Sequence, residues 1–247
     1  MTLGLGRRWE DHWDQTFADG GGIPELSAST DRPGWAMGAP AAPATGVVAI
    51  GASAGGIEAL SELAACLPTD LPFAVLMVIH MSPHAPSLLA QIIDRNGPLP
   101  AVPAAEGAVL EAGRIYAAVP DHDLLASDHR VALSEGPFDG GLRPSIDALF
   151  RSVALDYGPQ AIGVLLSGLL DDGVAGLRAI KAAGGVTVVQ EPSDALFPDL
   201  PQNAVNAGVA DYVAEAKKVG GLLTLLAQQG DQEGAVDPQS DRGRQPA

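Results

Sequence analysis

Apolar residues fall along this chain in two rhythms. Five runs are apolar almost without interruption: VVAIG (47–51), FAVLMVIH (73–80), AIGVLLSG (161–168), GVTVVQ (185–190) and VADYV (209–213). A strand with one wet face alternates apolar and polar residues, so continuous runs predict strands covered on both faces. Between them IEALSELAACL, SLLAQIIDRN, IDALFRSVALDY, GLRAIKAAG and KKVGGLLTLLAQQ repeat apolar residues at three-to-four spacing, which predicts helices. Strands and helices in alternation imply an α/β class: a doubly wound, mostly parallel sheet with helices on both faces. One stretch breaks the rhythm. GRIYAAVPDHDLLASDHRVALSEG (113–136) holds three short strand-like runs separated by P-D-H and S-D-H turns, which predicts a short antiparallel extension.

This patterned block spans about 45–228 and is of ordinary single-domain size. Residues 18–45 and 228–247 are rich in Gly, Ala, Pro, Ser or Gln and lack periodicity. We therefore expect a flexible leader over 1–44 and a disordered tail over 229–247. Within the leader, Trp9, Trp13 and Phe17 recur every four residues in RRWEDHWDQTF, a short aromatic amphipathic segment.

Composition narrows the function classes. The formal net charge is −16, which argues against a nucleic-acid surface. The acids are spread: 6 acids and 3 bases in 1–44, 4 and 2 in 227–247, and 20 and 9 between. That distribution is the ordinary one of a solvated acidic surface. Cys66 is the single cysteine, which excludes a disulfide scaffold and cysteine zinc sites. No apolar run has bilayer length, and the first twenty residues lack a signal-type stretch. A cytoplasmic protein without membrane insertion is the expectation.

The first strand runs into GASAGG, a glycine-rich turn carrying Ser53. A dinucleotide site needs glycine where Ser53 stands and an acid at the end of the next strand, but that strand ends in His80. The short-chain dehydrogenase pattern needs Tyr-x-x-x-Lys, and Tyr116, Tyr157 and Tyr212 are followed at the fourth position by Pro120, Ala161 and Ala216. Cofactor binding is the weaker reading. A plain structural reading makes Ser53 the cap of the next helix. The alternative is a nucleophile mounted on a sharp strand-to-helix turn, where following backbone N–H groups bind an oxyanion. It requires a base and an acid at neighbouring strand ends. His80 closes one buried strand, and Asp171-Asp172 follow another. In a parallel sheet these positions share one edge, the edge where ligands bind. Asp172 also reads as the cap of the helix GVAGLRAIKAAG, which would keep its carboxylate ionised and fixed. His84 lies four residues after His80, but Pro83 intervenes and no Glu follows His80, so a helical metal pair is not expected.

GASAGGIEAL, VIHMSPHAPSLLAQIIDR, RPSIDALFRS, LLSGLLDDGVAGLRAIKAAGG and VVQEPSDALFPDLPQNAV occur in that order. The series resembles the successive motifs of the chemotaxis-type protein-glutamate methylesterases, the CheB catalytic domain. The resemblance covers roughly 45–228 and implies a Ser–His–Asp triad of Ser53, His80 and Asp172, with Asp172 rather than Asp171 as the acid. It implies hydrolysis of γ-glutamyl methyl esters on an acidic helical receptor, with glutamine deamidation as an associated activity. No metal or cofactor is needed for that chemistry. Backbone N–H groups of Ala54 and Leu169 are the oxyanion candidates. The chain departs from the family pattern at Ile79 (often Gln), Leu170 (Gly), Asp199 (Gly) and Gln202 (Arg). The receiver domain usual in the family is not expected within 1–44, which is short and has no strand–helix alternation. Two other readings stay open: a catalytically weak binding module of the same fold, and a general small-ester esterase.

Overall fold

The computed structural model describes residues 44–84, 86–135 and 143–233. The expected leader, with its aromatic segment, and most of the expected tail lie outside these residues. Seven strands form the main sheet in the order β3-β4-β2-β1-β7-β8-β9, all neighbours parallel. They are β1 (Gly46–Ala52), β2 (Phe73–Ile79), β3 (Ala101–Pro103), β4 (Ile115–Ala117), β7 (Ala161–Leu165), β8 (Val186–Gln190) and β9 (Tyr212–Ala214). Every residue of β1 is buried, as its unbroken apolar run requires. β5 (Asp123–Ser127) and β6 (Arg130–Ser134) form a separate antiparallel hairpin. The expected antiparallel extension is thus narrower than 113–136. Its first run, β4, joins the main sheet in parallel, because Ile115, Tyr116 and Ala117 are all buried and need cover on both sides.

The described residues form six α-helices, the first five between strands and the sixth after β9: α1 (Gly56–Ala65), α2 (Leu89–Asn96), α3 (Ile146–Tyr157), α4 (Val174–Ala182), α5 (Asp199–Asn206) and α6 (Ala216–Glu233). The last runs past the expected end of the block at 228. From β1 the chain steps through α1 to β2 on one side; later it returns to β7 on the other and steps outward to β8 and β9. Right-handed crossovers in opposite directions place their helices on opposite faces. Accordingly α1 packs with α2 and α6, while α3 packs with α4 and hairpin strand β5. The direction reverses between β1 and β7. At such a switch point the loops leaving neighbouring strands part toward opposite faces and open a crevice at the strands' carboxyl ends.

Candidate active site

Register builds the site. Ala52 pairs with Ile79 at the ends of β1 and β2, so Ser53 and His80 stand side by side one residue further on. The Ser53 hydroxyl donates to His80 Nδ1 at 2.9 Å. On the other side of the ring, His80 Nε2 donates to Asp172 Oδ2 at 2.7 Å. A carboxylate only accepts, so the proton belongs on Nε2 and Nδ1 is left as the acceptor for serine. Relative to the usual serine-protease arrangement the imidazole is turned end for end. His80 is 5% exposed, whereas Ser53 is half-buried and reachable.

Ser53 does not cap the helix that follows it. The cap of α1 is Gly55, at φ 66°, with no side-chain cap bond. A Cβ there would lie 2.9 Å from both Phe197 Cδ2 and Ser167 Oγ, so glycine is needed for space as well as for backbone. Gly168 has a similar role: a Cβ on it would come within 2.9 Å of Ser53 Cβ. The serine turn is also tied across the crevice, since Ser53 N donates to Ser167 O at 2.9 Å. Ser167 is fully buried, and its hydroxyl donates to Ala54 O (2.8 Å) while accepting from Phe197 N (3.0 Å). Behind it, Gln190 Oε1 accepts from Ser167 N (2.8 Å), and Gln190 Nε2 donates to Asp194 Oδ2 (2.8 Å). Every polar atom of this buried chain that is named here has a partner, as burial demands.

Asp172 is fixed from the other face. The cap expected of it on its own helix, α4, is not formed: the cap residue of α4 is Gly173, with no side-chain cap bond. The carboxylate instead caps α3. Oδ2 accepts from Ile146 N at 2.8 Å, and Oδ1 from Asp147 N at 3.0 Å and Ser145 Oγ at 3.3 Å. Burial pushes the Asp172 carboxyl upward, but the hydrogen bond and charge of His80 and the N–H groups of Ile146 and Asp147 outweigh it. The carboxyl is held below its ordinary range and stays ionised. The free ends of α4 are met by Asp147, whose Oδ1 accepts from Gly173 N (2.9 Å) and Gly176 N (2.6 Å). Burial pushes Asp147 up; its backbone partners and Arg151 only partly offset this, and the nearby Asp172 charge adds to it.

The remaining sequence expectations have definite places. Asp171 is exposed beside the triad and its carboxylate takes no part in it. Among the described residues the N–H groups of Ala54 and Leu169 have no hydrogen-bond partner. Ile79 is buried and would be met at 3.0 Å by a Cβ on Gly56, so it fills the space beneath α1. Leu170 takes φ 64° and is 67% exposed, and its carbonyl is held by Asn203 Nδ2 at 2.7 Å. Asp199 opens α5, where a negative charge suits the helix N-terminus. Gln202 is exposed on α5 and donates to Asn206 Oδ1 at 3.0 Å. Among the described residues no group of three or more His, Cys, Asp or Glu side chains is arranged to hold a metal ion, and no helix is long and apolar enough to cross a membrane.

Ser145, Asp147, Ser167, Gln190 and Asp194 were not anticipated. Ser145 had a readable signal, a serine directly before a helical pattern. Gln190 had a weaker one, a polar residue closing a buried strand.

A parallel α/β sheet that brings a serine, an imidazole and a carboxylate into series at its switch point has the arrangement through which a serine hydroxyl can be activated as a nucleophile. The comparisons with known proteins narrow this further. The protein-family model for CheB methylesterase matches residues 48–223, and the chain belongs to that family. It is 35% identical over 189 residues to a protein of Moorella thermoacetica named protein-glutamate methylesterase/protein-glutamine glutaminase, covering 74% of this chain and 45% of that one. A namesake from Anaeromyxobacter dehalogenans is 39% identical over 188 residues, covering 75% and 55%. The chain thus spans about half the length of the curated relatives it matches. The crystal structure of the Thermotoga maritima CheB methylesterase catalytic domain superposes with a TM-score of 0.69 at 29% identity, covering 73% of this chain and 98% of that domain.

Proposed function

We propose that this protein is a serine hydrolase that removes methyl groups from glutamate methyl esters on chemotaxis-type receptor helices. The observation that carries the reading is the unbroken series Ser53–His80–Asp172, at 2.9 and 2.7 Å. Ser53 Oγ attacks the ester carbonyl as His80 Nδ1 takes its proton. Asp172 holds the ring in the tautomer that leaves Nδ1 free and stabilises the imidazolium. The N–H groups of Ala54 and Leu169 receive the oxyanion, and each donor in such a hole is worth ~3 kcal/mol. Collapse of the tetrahedral intermediate releases methanol, which takes the proton from Nδ1. Water, deprotonated by the same nitrogen, then attacks the acyl-enzyme; the proton passes from Nδ1 to Ser53 Oγ as the acyl bond breaks, which leaves a glutamate side chain on the receptor and restores Ser53. The relatives' names add glutaminase, and the same steps release ammonia from a glutamine side chain.

A panel tests the proposal against its alternatives: a methylated receptor fragment, a p-nitrophenyl ester and a fluorophosphonate. Turnover of the fragment with a kcat/KM well above that for the small ester is expected, together with labelling by the phosphonate. Turnover of the small ester alone would make the protein a general esterase. Absence of turnover and labelling would make it a binding module.

A further inference from the structure

The strand register explains how Ser53 meets His80, but no strand positions Asp172, which lies in a loop well beyond the end of β7. Its place is set by two helix ends that face each other. Asp172 closes the N-terminus of α3 through Ile146 N and Asp147 N, and Asp147 closes the N-terminus of α4 through Gly173 N and Gly176 N. One residue therefore grips the acid's loop twice. The Asp147 N–H donates to the Asp172 carboxylate at 3.0 Å, while its side chain accepts from the very next residue, Gly173, at 2.9 Å. The gripped segment has little freedom to yield. Gly173 sits at φ 104°, and a Cβ on it would come within 2.7 Å of Ile146 Cγ2 and Leu165 Cδ1.

We propose that Asp147 is a positioning residue for the Ser53–His80–Asp172 triad: its carboxylate fixes the 172–173 backbone so that Asp172 Oδ2 stays in line with His80 Nε2. Asp147 touches neither the substrate nor the imidazole, and it acts through Asp172. Position is the useful property, since Asp172 already receives its helix-end stabilisation from backbone N–H groups. The outer oxygen of Asp147 meets Arg151 Nη2 at 3.4 Å on the protein surface, a contact the grip does not require.

This inference rests on the hydrolytic reading of the triad, so the test separates the two. In full-length protein, Asp147→Ala removes the acceptor for both N–H groups. Asp147→Asn keeps an oxygen in the same place, and Arg151→Ala breaks only the surface contact. Asp147→Ala should lower kcat about 100-fold with KM little changed, the cost of a displacement of roughly 1 Å in a catalytic array. Asp147→Asn should restore kcat to within a few-fold of wild type, and Arg151→Ala should match wild type. Should Asp147→Ala not accumulate as folded protein, Asp147→Glu carries the test, because it keeps the charge and moves the oxygens; its kcat should fall at least tenfold. A second readout is independent of turnover. The downfield proton resonance of the His80 Nε2–H···Asp172 bond should be present in wild type and Asp147→Asn, and broadened or absent in Asp147→Ala or Asp147→Glu. A wild-type protein inert toward every ester would remove the hydrolytic reading, and this resonance would still decide the positioning. Wild-type kcat or an unchanged resonance in folded Asp147→Ala, or in Asp147→Glu where it is the variant in hand, overturns the proposal. So does a loss in Asp147→Asn as large as that in Asp147→Ala.

Discussion

Two adjacent aspartates separate cleanly at the level of single residues. Asp172 has both oxygens engaged, one of them on His80, while Asp171 is exposed. Asp172→Asn favours the wrong imidazole tautomer, because the amide nitrogen can only donate, and should lower kcat by ~10⁴-fold. Asp171→Asn should stay within a few-fold; steady-state kinetics on one ester compares them, and the reverse ranking would mean that the acid has been misplaced. Asp172 also predicts a pH dependence of stability. Its folded value lies below the usual 3.8, so its contribution is complete above the unfolded value and disappears as pH falls through the folded one. Asp147, raised in the fold, works with the opposite sign. Wild type should thus exceed Asp172→Asn in stability near neutrality, and the gap should close below about pH 4, as read by urea midpoints. A gap that widens toward acid would contradict the ionised state assigned to Asp172.

Elements are locked together by polar groups that hydrophobic patterning does not reveal. Gln190, at the end of β8, links the N–H of Ser167 beside the serine turn to Asp194, which also accepts from Ala216 N at the start of α6. Gln190→Leu leaves a buried N–H unmet and should cost ~1–3 kcal/mol in urea unfolding. A change under about 0.5 kcal/mol, the scale of surface substitutions, would contradict a role for this chain of bonds. In the loop before Asp172, Leu170 takes a left-handed conformation that costs an L residue about 1–2 kcal/mol. Leu170→Gly should therefore be neutral or stabilising by up to about 1 kcal/mol, after the extra entropy of an unfolded glycine. Leu170→Val should destabilise, because a β-branched residue tolerates positive φ poorly. The buried strands, and with them Ser53 and His80, were legible because a continuous apolar run marks both a strand and its end. The choice of Asp172 over Asp171 came from the motif series. β3 and α5 carry too few periodic residues to be seen, and three buried residues of β4 look the same in a hairpin and in a parallel sheet. The exchanged caps of α3 and α4 join residues 25 to 29 positions apart, so a reading of local capping assigned Asp172 to the wrong helix.

Over the whole molecule, charge governs encounter more than chemistry. The net charge is −16, Asp171 and Asp199 are exposed on loops and helix ends around the crevice, and α5 carries the neutral Gln202. Arg143 is engaged with Asp121 at 3.4 Å. With an acidic receptor helix as substrate, kcat/KM should rise as salt shortens the Debye length from ~30 Å at 0.01 M to ~10 Å at 0.1 M, while kcat at saturation changes little. Gln202→Arg should raise kcat/KM and flatten that dependence. A kcat/KM that falls steeply with salt would show that local basic groups outweigh the overall charge.

The central claim is that Ser53, activated through Nδ1 of His80, forms a covalent ester with the substrate acyl group. Mass mapping of full-length protein treated with a fluorophosphonate tests it most directly, because the reagent leaves its mark on the attacking oxygen. The account predicts one adduct, on the peptide containing Ser53, forming far more slowly in Asp172→Asn and not at all in Ser53→Ala. An unlabelled wild type, or an adduct on another residue that persists in Ser53→Ala, would contradict it.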